Sequence, residues 1–178
     1  KKKTIVFGNG LGSFKKPKNN FLYTGNSGTL TRLIFGLLST QSDLKIKIFG
    51  DASLNKRDMS RIIKPLSKIG CSFYPKNKST LPLTIEGTSM PLAQKHIEKI
   101  GSAQVKSAIL LAGLNTPGIT QVEARRSRDH TENLLNTIKA DLKIKKEKEN
   151  QLILLKGQKN LFGFNLSISG DPSSAAPF

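Results

Sequence analysis

The sequence predicts an α/β domain made of two copies of one β-α-β-α-β-β unit, and three observations predict it. LPLTIEG at 81–87 aligns with QLILLKG at 151–157, strand on strand and glycine on glycine. IIKPLSKIG at 62–70 falls opposite NLLNTIKAD at 133–141, so a helical segment occupies the same place in each copy. Around these anchors, short β-branched runs and stretches of helical apolar spacing recur in one order, with a period of about 70 residues. The copies span 21–87 and 88–157.

Taken in order, residues 4–7 (TIVF) form a short strand, followed by Gly8, Gly10 and Gly12. No helix follows these glycines, so they match a nucleotide-binding loop only loosely. Pro17 among Lys15, Lys16 and Lys18 marks a solvent loop. Residues 21–23 lead as a strand into GNSGT at 25–29, after which Leu30, Leu33, Ile34 and Leu37 define an amphipathic helix. Residues 44–49 alternate as a strand, and 50–58 read as a polar loop. Met59, Ile62, Ile63, Leu66 and Ile69 mark a helix closed by Gly70. Pro65 inside it removes a backbone donor, worth ~3 kcal/mol in an ideal helix, and predicts a kink or a broken ladder. Residues 71–74 and 81–86 are strands joined by a lysine- and serine-rich hairpin.

The second copy runs from 96–100 into GSAQ at 101–104 and then a helix. There Val105, Ala108, Ile109 and Ala112 keep helical spacing while Leu110, Leu111 and Leu114 widen the apolar surface. That helix should be buried, with its polar start at the surface. Asn115 to Gly118 stop it and residues 119–124 form a strand. Residues 125–128 bring Arg125, Arg126, Ser127 and Arg128 to the next helix start, where Asp129 and Glu132 fit a capping box. Strands follow at 142–146 and 151–155, then a strand leaving the copy at 161–169 and a further polar helix start at 171–174.

The balance of 29 Lys and Arg against 12 Asp and Glu gives +17, which ordinarily points first to nucleic acid. Here the lysines are scattered through turns and strands and travel with Asn and Ile, as biased base composition produces, and neither an RNA-stacking aromatic motif nor a helix-turn-helix spacing accompanies them. Cys71 is the only cysteine, which excludes an internal disulfide. Its expected place is buried on a strand. No apolar run approaches ~18 residues, so no transmembrane helix is predicted. The chain begins with Lys1 and shows no signal-peptide pattern, for which truncation is the simplest account.

If the copies superpose, GNSGT lies near the place of GSAQ and LNKRD near that of RSRDH. Four polar helix starts then gather at one end with Arg32, Arg57 and Arg128, an anion-binding face. By residue type alone, Gly25, Asn26, Gly28 and Thr29 equally make a strand-to-helix turn with Thr29 as N-cap. Arg57 equally reads as a solvated charge, and Ser102 and Gln104 as a cap and a surface amide. His130 fits a helix start, and with only His96 for company it makes no metal site.

The stretches SAQVKSAILLAGLNTPG (102–118), SRDHTE (127–132), GNSGTLTRL (25–33), GDASLNKRDM (50–59), LPLTIEG (81–87) and SGDPSSAAPF (169–178) resemble, in order, those of the EPSP synthase (3-phosphoshikimate 1-carboxyvinyltransferase) family of enolpyruvyl transferases. The resemblance implies an inside-out α/β domain, helices inward and sheets outward, with two of three repeats present. Residues 1–20 would be the end of a truncated repeat and 158–178 the crossover toward a second domain, the chain being a piece less than half the family's length. The implied reaction moves the enolpyruvyl group of phosphoenolpyruvate to the 5-hydroxyl of shikimate 3-phosphate, in a monomeric cytoplasmic enzyme with no cofactor, metal or nucleic acid.

Carried over, the loop with Asn26, Gly28 and Thr29 faces phosphoenolpyruvate, as does Arg57; Arg32, from the anion-binding face, is counted with the substrate-binding residues. Ser102, Ala103 and Gln104 hold shikimate 3-phosphate with Ser127 and Arg128, Gln104 also reaching phosphoenolpyruvate. Asp58 stands where the family often has proline, placed to pair with Arg57. Glyphosate would occupy the phosphoenolpyruvate position, where a methyl at Gly28 would project toward it. The family's proton-transfer groups match nothing in this sequence, so no catalytic residue is named. Two rivals share the repeat architecture. UDP-N-acetylglucosamine enolpyruvyl transferase would be expected to carry a reactive loop cysteine and a motif other than SRDHTE. An RNA-binding or RNA-end-processing module would bind in a salt-sensitive way.

Overall fold

The structure, a computed structural model, describes residues 3–168. Its elements are β1 (Phe21–Tyr23), α1 (Gly28–Leu38), β2 (Lys45–Phe49), α2 (Ala52–Asn55), α3 (Ser60–Ile69), β3 (Ser72–Tyr74) and β4 (Leu83–Glu86), then β5 (Lys95–Glu98), α4 (Ala103–Leu114), β6 (Ile119–Arg125), α5 (His130–Thr137), β7 (Asp141–Glu147) and β8 (Asn150–Lys156). They form two four-stranded sheets of the same topology, β1-β2-β4-β3 and β5-β6-β8-β7. In each, the first pair is parallel and the other two pairs are antiparallel. Burial alternates along β2, β6 and β8, so each sheet turns one face to the helices and one to solvent.

The helices lie inside. Nine of the twelve residues of α4 are buried, as a helix apolar on all sides requires. It packs along α1, and the two touch so closely that a Cβ on Gly36 would lie 2.3 Å from the Ala108 carbonyl. At one end Gln104 donates to Thr29 at 2.7 Å; at the other Asn115 donates to the Thr40 carbonyl at 2.7 Å. The helices therefore run parallel and in register. The repeat reaches atomic detail in the glycines after β4 and β8. A Cβ on Gly87 would stand 2.6 Å from the Leu38 carbonyl and 2.1 Å from that of Gln41, and on Gly157 2.3 and 1.9 Å from those of Gly113 and Thr116. In both copies a strand closes directly against the end of the core helix.

Several expectations are corrected. Residues 4–7 lie in no strand; Ile5, Val6 and Phe7 are exposed, with no described strand beside them to supply ladder partners. The stretch 50–58 contains α2, because Asp51 caps it by accepting from Leu54 N at 2.8 Å and Leu54 anchors it in the core. Helix α3 runs unbroken past Pro65, whose ring is buried with Ile62, Leu66 and Ile69 and so offsets the missing donor by packing. The deepest face of α1 is Thr31, Phe35 and Leu38, not the stripe from Leu30 to Leu37, where Leu30 is exposed and Leu33, Ile34 and Leu37 are only half-buried. Residues 161–168 lie in no strand; instead Phe162 N donates to the Ile138 carbonyl at 3.1 Å. The helix start at 171–174 and the motif at 169–178 lie outside the described residues.

Candidate functional site

Two clusters meet where α1 and α4 begin. The first surrounds Gly28. Ser27, rather than Thr29, caps α1 by accepting from Leu30 N at 3.1 Å, which leaves Thr29 free to face α4. Asn26 accepts from Arg57 at 2.7 Å and donates to Asp51 at 2.7 Å, so the loop before α1 and the turn after α2 are clamped together. A Cβ on Gly28 would stand 2.7 Å from Arg32 Nη1 and 3.2 Å from Arg57 Nη1. Both guanidinium groups therefore rest against the bare start of α1. An added methyl would therefore meet the ends of the two arginine side chains, a contact the sequence alone did not reveal. Burial, then the charges of Arg57 and Arg61, hold Arg32 below its usual range, with Asp58 opposing. Arg61 is taken by the buried carboxylate of Glu98 at 3.0 Å. Among the described residues no carboxylate lies within ion-pair distance of Arg32, Arg57 or Arg128.

Asp58 does not pair with Arg57. Its carboxylate turns to α3 instead, accepting from Ser60 N at 3.2 Å and from the Ser60 hydroxyl, and these bonds with one from Ser79 hold its carboxyl below the usual range. Among the described residues, the Arg57 side chain is thereby left with Asn26 as its hydrogen-bond partner.

The second cluster lines a pocket of about 140 Å³ formed by Thr29, Leu33, Ala103, Gln104, Ser107, Arg128, His130 and Thr131. Ser102 caps α4 through Val105 N at 3.4 Å, placing Ala103 and Gln104 in the first turn, where backbone N–H groups point outward without helical partners. The bond from Gln104 to Thr29 joins the clusters into one face. Of the ten residues singled out from sequence, Asn26, Gly28, Arg32 and Arg57 form the first cluster, and Thr29, Ala103, Gln104 and Arg128 line the pocket. Ser102 acts as a cap, and Ser127, next to Arg128, has its hydroxyl oxygen buried without a hydrogen-bond partner.

The capping box predicted at α5 does not form. Asp129 makes no side-chain cap bond, and Glu132 is drawn inward to the buried ammonium of Lys106. Sequence reasoning missed this pair and the pocket residues Ser107 and Thr131, whose hydroxyls bond at 2.7 Å. The available signal was a lone lysine in an apolar helix, which demands a buried carboxylate.

Cys71 immediately precedes β3, is buried, and is pushed up to about 12 by desolvation, the opposite of an activated thiol. Among the described residues, no three His, Cys, Asp or Glu side chains stand together to hold a metal ion, and no helix is long and apolar enough to cross a membrane.

Fold and face define an inside-out protein of β-α-β-α-β-β repeats whose core helices present their N-termini, with three arginines, to one cationic surface. The sequence model of EPSP synthase (3-phosphoshikimate 1-carboxyvinyltransferase) matches residues 1–178, and the chain belongs to that family. It is 44% identical over 172 residues to the 3-phosphoshikimate 1-carboxyvinyltransferase of Ruegeria sp. (strain TM1040), covering 96% of this chain and 38% of that one. With the enzyme of that name from Novosphingobium aromaticivorans it shares 43% over 175 residues, 97% of this chain and 39% of the other. The solved EPSP synthase from Acinetobacter baumannii superposes with a TM-score of 0.74 at 41% identity, covering 88% of this chain and 35% of that chain. The chain thus spans about 38% of the length of the curated relatives it matches.

Proposed function

We infer that this chain supplies a substrate-binding part of an enzyme that transfers the enolpyruvyl group of phosphoenolpyruvate to the 5-hydroxyl of shikimate 3-phosphate, releasing phosphate by addition and elimination. The observation that carries the reading is the junction of two anion-ready clusters through the bond from Gln104 to Thr29. One offers Arg32 and Arg57 without a carboxylate partner among the described residues; the other offers Ala103, Gln104 and Arg128 around a pocket. Two anionic ligands side by side fit such a face, phosphoenolpyruvate at Asn26, Gly28, Thr29, Arg32 and Arg57, and shikimate 3-phosphate at Ser102, Ala103, Gln104, Ser127 and Arg128. The contribution of this part is positioning and neutralisation of charge.

The same reading takes 21–87 and 88–157 as successive repeat units and places the complete enzyme in the cytoplasm as a monomer without a nucleic-acid partner. Its test is phosphate release by the full-length protein that contains this chain. Release requiring both substrates is expected, whereas residues 1–178 alone should give none. No release from the full-length protein, or RNA binding that weakens steeply with salt, would sink it. In the full-length enzyme Arg57→Ala should weaken phosphoenolpyruvate roughly ten- to a hundredfold, the value of a charge-assisted contact, with a much smaller effect on shikimate 3-phosphate. Equal losses for the two would make Arg57 a structural residue.

A further inference from the structure

Helix α4 carries one charged side chain within its buried length. Lys106 is 0% exposed and its partner Glu132 1%. The Lys106 ammonium also donates to the Arg128 carbonyl at 3.0 Å, and the Gln151 amide donates to the same Glu132 oxygen at 3.4 Å. One position along, Thr131 donates to Ser107 at 2.7 Å. Adjacent residues of α4 are thus bound to adjacent residues of the first turn of α5, and the ammonium reaches past them to the loop.

Stability alone does not account for this arrangement. Withdrawing two charges from water costs several kcal/mol per ion, and an apolar pair of equal volume often serves as well or better. Apolar side chains would hold α4 against α5, but they would offer no donor to the Arg128 carbonyl. What the ammonium adds is direction. It fixes the backbone at Arg128 against the first turn of α4, and with it the spacing between Arg128 and Gln104 across the pocket. Glu132 aims that ammonium, and the carboxylate is itself oriented by Gln151.

We propose that Lys106 and Glu132 are positioning residues that set the Arg128 side of the pocket, and so set the affinity for the phosphate ester bound there. The proposal rests on the reading of this pocket as the shikimate 3-phosphate site. Its test compares, in the full-length protein, the double variant Lys106→Met with Glu132→Leu, which leaves no charge unpaired, with Arg128→Ala and with the triple variant. The double variant should bind shikimate 3-phosphate about tenfold or more weakly in calorimetry, the size of a lost contact to a charged group, while the KM for phosphoenolpyruvate at saturating shikimate 3-phosphate stays near its original value. In the Arg128→Ala background the same two substitutions should add nothing, because the pair acts through Arg128. Glu132→Gln keeps shape and an acceptor, and should show a smaller loss that also vanishes in that background; it serves if the double variant does not fold. Unchanged affinity in these variants, or losses that multiply in full with Arg128→Ala, overturns the proposal alone. Unchanged affinity in Arg128→Ala overturns the reading of the pocket, and the proposal with it.

Discussion

Arg32 and Arg57 reach the start of α1 only because residue 28 carries no side chain. A methyl there meets the far ends of two flexible side chains, so Gly28→Ala should leave the melting temperature of the full-length enzyme nearly unchanged while it displaces both arginines. The expected result is a loss of phosphoenolpyruvate and glyphosate binding together, of the ~1–3 kcal/mol that overpacking a tight site costs. Selective loss of glyphosate alone would show that the methyl faces the ligand and not the guanidinium groups. Cys71 gives a pH-dependent test. Its thiol donates to the Leu66 carbonyl at 3.3 Å and burial raises it to about 12, so the fold favours the neutral form. The stability it contributes is complete below the ordinary thiol range near ~8.5 and is lost as pH rises toward the folded value. Iodoacetamide at mildly alkaline pH should therefore spare Cys71 in the folded protein and alkylate it after unfolding; rapid native labelling would contradict this burial.

Elements legible in the sequence were those whose signal is local. Helical apolar spacing and turn residues marked α1, α3 and α4, alternation marked β2, and the repeat marked α5 and β8, because burial of one face is written into period. What was not legible depended on partners far along the chain. The strand expected at 4–7 has the composition but no neighbouring strand among the described residues, α2 hangs on one cap and one anchor, and Glu132 left its capping role for a lysine on another helix. The aligned glycines were visible as punctuation, but their purpose appears only in space. A Cβ on Gly87 or Gly157 would run into helix-end carbonyls at 2.1 and 1.9 Å, backbone atoms that cannot swing aside. Gly87→Ala and Gly157→Ala should each cost at least ~1–3 kcal/mol, a fall in melting temperature of about 2–4 °C per kcal/mol. A melt unchanged by either substitution would mean that the strand can retreat from the helix end.

For the whole molecule, the sequence repeat placed four polar helix starts at one end, and eight of the ten residues taken from sequence stand in the two clusters there. The arrangement of those clusters was not readable, since it depends on how closely α1 and α4 approach and on which donors each loop spends internally. Their parallel course has a cost of its own. Two macrodipoles aligned side by side put their positive ends, each equivalent to roughly half an elementary charge, next to one another and next to two guanidinium groups. Without a counter-charge this face carries a standing electrostatic repulsion, and an anion bound there would act first as a structural counterion. Inorganic phosphate should raise the melting temperature of the full-length enzyme more than chloride does at equal ionic strength, by ~2.7 kcal/mol of stabilisation at a hundred times its dissociation constant. In Arg32→Gln with Arg57→Gln only the general salting effect of phosphate should remain. An undiminished phosphate response in that variant would place the repulsion elsewhere; its disappearance would mean that this enzyme, washed of anions, is held in its least stable folded form.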